Sequence, residues 1–143
     1  MLIKGCREEN DEKGYLQGDF SYVVGFESAL VLSSRAVEIL EPLLKSQGEL
    51  LPLKHPKEKY FAFNPTCLTD ALNVNKSNVV YFLSGRIMTV RRYVFDDDKI
   101  PANDIFKLAQ ISLGDTFVSE KFKLAVEENH LEGLLFDPVE IAR

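Results

Sequence analysis

Apolar and polar positions follow two rhythms along this chain, and each rhythm predicts a different element. Residues 20–26 (FSYVVGF) are aromatic and β-branched, which predicts a strand. After Ser33 and Ser34, the apolar residues Ala36, Val37, Leu40, Leu43 and Leu44 recur at helical spacing, so a serine-capped helix is expected there. Pro42 falls inside that run. It has no amide proton and its ring clashes with the preceding turn, so a kink, or a helix end near Glu41, is expected. Gln47-Gly48 then closes the element. Residues 49–54 (ELLPLK) predict a short strand, and Pro52 assigns it to a sheet edge or a bulge. Residues 60–64 (YFAFN) are apolar on both faces, the pattern of an interior strand.

Further along, residues 68–73 read as a turn or one helical turn, and residues 79–83 as a strand ended by a turn at Gly85. Residues 87–95 predict one long strand. Ile87, Thr89, Arg91, Tyr93 and Phe95 share one face, and Met88, Val90, Arg92 and Val94 the other. Residues 105–109 predict a short strand and Gly114-Asp115 a turn. Ser119 is placed to cap a second helix, with Glu120 favourable in its first turn. Phe122, Ala125 and Val126 form that helix's buried stripe, and it ends near Asn129-His130. Residues 134–136 are the last strand expected. The sum is an α+β domain with a mostly antiparallel sheet of about six to eight short strands and two main helices, since helices and strands do not alternate as a parallel fold requires. Residues 1–19 are too polar to cover a core and are expected as an N-terminal arm, mobile or extended as an exposed hairpin arm. Residues 20–143 are expected as the single domain.

Length agrees with one domain, at 143 residues. The net charge of −5, from 22 acidic and 17 basic residues, argues against general nucleic-acid binding; it fits the modest acidity that helps many proteins stay in solution, and it is compatible with a basic protein partner. Cys6 and Cys67 are the only cysteines; they could form one bridge, but two reduced thiols are the expectation. No apolar run approaches the roughly 20 residues that a membrane span needs, and charge follows directly on Met1-Leu2-Ile3 where a secretory signal would be apolar. A cytoplasmic protein is the expectation.

Candidate chemistry is sparse. His55 sits in a lysine-rich turn and His130 at a helix end, which is not the clustering a metal site needs, so no metal and no cofactor are expected. Cys67 is the best nucleophile in the sequence, with Asp70 and a histidine as conceivable assistants. Asp96-Asp97-Asp98 is the sharpest charge cluster. It lacks the alternating spacing of a calcium loop, and it reads as a solvated loop or as a contact for a basic partner. Walker, dinucleotide-binding, zincin and nucleophile-elbow motifs are absent.

Several segments together resemble the eleventh immunity-protein family of bacterial polymorphic toxin systems. They are Leu30-Val31-Leu32-Ser33 as the opening of the first helix, the aliphatic-proline strand at residues 50–53 and the aromatic strand at residues 60–63. Leu68-Thr69-Asp70-Ala71-Leu72-Asn73 with Lys76-Ser77 follows, with Asn73 where an aspartate is more typical. Ile105-Phe106-Lys107-Leu108, Phe117-Val118-Ser119-Glu120 and the ending Leu131-Glu132-Gly133-Leu134-Leu135-Phe136-Asp137-Pro138-Val139 complete the pattern. Residues 1–29 match poorly, and the chain has no tryptophan where such proteins often carry one. The resemblance implies a non-enzymatic protein that neutralises a cognate toxin by stoichiometric binding, and it transfers no catalytic residue and no toxin-contact residue. Asp96, Asp97 and Asp98 are the candidate toxin contacts on a separate ground, since an acidic loop complements a basic toxin. A small-ligand-binding or regulatory module is the alternative reading, and a thiol-dependent enzyme using Cys67 the second.

Overall fold

A computed structural model describes residues 2–7, 19–21, 29–54, 59–111 and 114–142. In chain order the strands and helices are β1 (Leu2–Arg7), β2 (Phe20–Ser21), β3 (Leu30–Ser33), α1 (Ser34–Leu44), β4 (Gly48–Leu53), β5 (Tyr60–Pro65) and β6 (Leu68–Thr69). They continue as β7 (Asn78–Tyr81), β8 (Ile87–Arg92), β9 (Val94–Asp96), β10 (Ile105–Leu108), β11 (Thr116–Ser119), α2 (Glu120–Glu128), β12 (Leu134–Pro138) and β13 (Glu140–Ala142). The strands form a five-stranded sheet ordered β12-β1-β11-β10-β6, a four-stranded sheet ordered β2-β3-β5-β4, and two ribbons, β7-β8 and β13-β9. Among the described residues only β10-β6 and β13-β9 pair in parallel. The architecture is therefore the α+β fold with mostly antiparallel sheet that the residue pattern predicts.

Strands β10 and β11 of the five-stranded sheet are buried on both faces, and their register shows how. Ile105 lies opposite Val118, and Phe106 opposite Phe117, so successive pairs point to opposite sides. On one side Ile105 and Val118 join Leu40 and Leu44 of α1, Phe122 and Val126 of α2, and Leu32 and Phe63 of the four-stranded sheet in the main core. On the other side Phe106 and Phe117 join Phe95, Leu72, Leu108 and Val139 in a second core. Phe95 and Phe117 meet edge to face at 4.9 Å, and Phe106 stacks on Phe117 at 5.7 Å. Aromatic pairs at such distances add about 0.5–1.5 kcal/mol beyond their burial.

Both helix starts are capped as expected. Ser33 Oγ accepts from the amide of Ala36, and Ser119 Oγ from that of Phe122. The first helix does not stop at Glu41, however. It runs through Pro42 to Leu44, with the Lys45 amide bonding to the Glu41 carbonyl. Proline removes the donor that would reach Glu38, but Glu38 and Pro42 both lie on the exposed face, where water is at hand. The second helix ends in a Schellman motif: the His130 amide donates to the Glu127 carbonyl and the Leu131 amide to that of Val126. Leu131 and Val126 are both buried in the main core, and His130 takes the left-handed φ of 52° usually given to glycine.

Several other expectations change. Residues 68–73 contain β6 rather than a helical turn, because Leu68 and Thr69 pair with Lys107 and Leu108. The long strand expected over residues 87–95 is two strands in different ribbons. It breaks at Tyr93, whose ring packs edge-on against Phe117 at 5.0 Å and whose hydroxyl donates to Asp115 Oδ2 at 2.6 Å. Residues 116–118, not assigned before the helix, form a strand flanked on both sides by partners. Within the segment expected as a polar arm, Leu2–Arg7 is β1, hydrogen-bonded between β11 and β12. Pro52 lies on β4, an edge strand, and residues 60–64 lie on the interior strand β5, as predicted. Residues 8–18, 22–28 and the His55 turn lie outside the described residues.

A buried carboxylate ties the chain's distant segments together. Asp19 is 7% exposed. Its Oδ1 accepts from Ser33 Oγ at 2.9 Å, and its Oδ2 accepts from Arg35 Nη1 at 3.1 Å and from the Glu132 amide at 3.0 Å. The same turn is held tight at Gly133, with φ at +99°, where a Cβ would lie 2.4 Å from the Phe20 carbonyl oxygen.

A candidate protein-binding surface

The β7-β8 ribbon contributes little to either core. Val90 is its one buried residue, and Val79 and Ile87 pack at the margin of the second core. Beyond them the ribbon exposes large apolar side chains in close succession: Tyr81 at 49%, Phe82 at 48%, Met88 at 49% and Leu83 fully. A two-stranded hairpin is marginal by itself, so the packed base must hold the tip.

Local chemistry builds the tip. The Phe82 amide donates to the Arg86 carbonyl at 2.8 Å and the Gly85 amide to the Phe82 carbonyl at 2.9 Å. With Gly85 at φ +89°, this is the three-residue hairpin loop that needs a left-handed residue in third place. A Cβ on Gly85 would meet nothing within 4 Å, so glycine is there for backbone conformation and not for space.

The register then aims the side chains. Val80 pairs with Thr89 but Tyr81 with Ile87, which passes over Met88; Val79 pairs with Val90 but Asn78 with Arg92, which passes over Arg91. Both irregularities fall on β8. A bulge bends its strand and redirects the extra residue, and it also blunts the edge against pairing with other chains. Arg91 and Arg92 are both exposed. Arg92 donates to the Lys76 carbonyl at 2.7 Å and pairs with Glu140 at 3.4 Å, so it belongs to the base. Beside the tip, Val74, Tyr81, Arg86, Ile87 and Gln110 line a concavity of about 480 Å³, and Gln110 Oε1 is buried there without a hydrogen-bond partner. Tyrosine, phenylalanine, methionine and arginine are the residues enriched where proteins bind one another. Periodicity missed this surface because residues 79–83 alternate no differently from a core strand.

The residues singled out in the sequence are scattered. Asp96 is half-buried and structural: its Oδ1 accepts from Asn73 Nδ2 at 2.9 Å, and Lys99 lies 3.9 Å from its other oxygen. Asn73 Oδ1 in turn accepts from the amides of Asn75 and Lys76. Asp97 and Asp98 start an exposed 3-10 turn. Cys67 is free and half-buried at the edge of the second core. Burial pushes its thiol above the usual value, the opposite of what activates a nucleophilic cysteine. Asp70 is exposed and meets Lys99 at 3.9 Å. Among the described residues no three His, Cys, Asp or Glu gather as for a metal ion. His130 is exposed at the end of α2.

The chain is an α+β domain whose β7-β8 hairpin forms an exposed finger of apolar and arginine side chains. Residues 51–141 match the immunity protein family (Imm11), and the chain belongs to that family. No curated protein matches it.

Proposed function

We propose that this chain is an immunity protein that neutralises a cognate toxin by stoichiometric, non-catalytic binding. Membership of the immunity family, spanning residues 51–141, carries the reading. The exposed apolar surface on β7-β8 supports it, because a stable inhibitory interface needs anchors of this kind. Binding would bury roughly 1,200–2,000 Å² in total, more than the hairpin tip alone offers, so flanking surface joins it. No helix among the described residues is long and apolar enough to cross a membrane.

The test is a growth assay followed by a titration. A candidate toxin domain, taken from a gene neighbouring that of this chain, is expressed in a host cell with and without this chain. Rescue of growth, with a 1:1 complex of the purified proteins, is the expected result. Rescue at a small fraction of one equivalent would mean that the chain turns over and is an enzyme. Killing that continues despite ample folded chain would refute the reading for that partner.

A further inference from the structure

We draw no further inference here: the strongest candidate, the exposed apolar tip of the β7-β8 hairpin at Tyr81, Phe82, Leu83 and Met88, belongs to the surface already described, and nothing in the structure shows what covers it.

Discussion

Replacing Asp19 by alanine should be the most damaging change to a polar residue among the described residues. Its carboxylate is buried and accepts three hydrogen bonds, from Ser33 Oγ, Arg35 Nη1 and the Glu132 amide. A hydrogen bond to a charged group contributes about 1.5–3 kcal/mol, but the three share one acceptor and do not add. The Arg35 side chain is 55% exposed, so solvent screens that pair and it contributes at most about 1 kcal/mol. The Ser33 and Glu132 bonds carry the rest. Ser33 also caps α1, and without Asp19 its hydroxyl loses the acceptor that orients it toward Ala36. The expected loss is about 3 kcal/mol, a large part of the roughly 5–15 kcal/mol of a typical domain. Chemical denaturation measures it, with a melting temperature lower by about 10 °C as a second readout. Asp19→Asn, which keeps the shape and one acceptor, should lose about half as much. A double-mutant cycle with Arg35→Ala should give a coupling below about 1 kcal/mol. A total loss under about 1 kcal/mol, or a cycle that assigns nearly all of it to Arg35, would refute the argument that this carboxylate is a staple between three segments.

Three further outcomes follow from the same geometry. Asn73→Asp places a second carboxylate against Asp96 Oδ1, where the amide now donates at 2.9 Å. The like charges raise the pair's pKa in the folded state above its unfolded value, so the variant should be less stable by about 2 kcal/mol at pH 7 and recover as pH falls through the carboxylate range, seen by melting at stepped pH. His130→Gly relieves a left-handed non-glycine residue in the Schellman motif and should raise stability by about 0.5–1 kcal/mol in thermal melts, because glycine tolerates that conformation. Reversing Asp97→Lys and Asp98→Lys separates the acidic turn from the hairpin as toxin contact: with the finger as anchor, toxin affinity should change less than threefold, and a larger loss would return the acidic turn to the interface.

Much of the local structure was legible in the residues, and the reason is that it depends on neighbours in sequence. Ser33 and Ser119 bond the amide three residues on, Pro52 is tolerated only where its missing donor faces no partner, and Gly85 supplies a left-handed turn, so each could be placed without knowing the fold. The aliphatic and aromatic runs likewise determined an α+β domain with two capped helices and an immunity-family pattern. What the tertiary structure decided are the links across long separations. Asp19 meets Glu132 113 residues away, β1 finds its place between β11 and β12, and residues 87–95 break because Tyr93 turns toward Phe117 and Asp115. Residues 79–83 have the apolar content of a core strand, and only the packing of both cores left Phe82 and Leu83 outside. Propensity and periodicity describe what a segment can bury. Which surface stays uncovered is settled by competition among all segments for a limited interior, and that competition is decided only when the chain closes on itself.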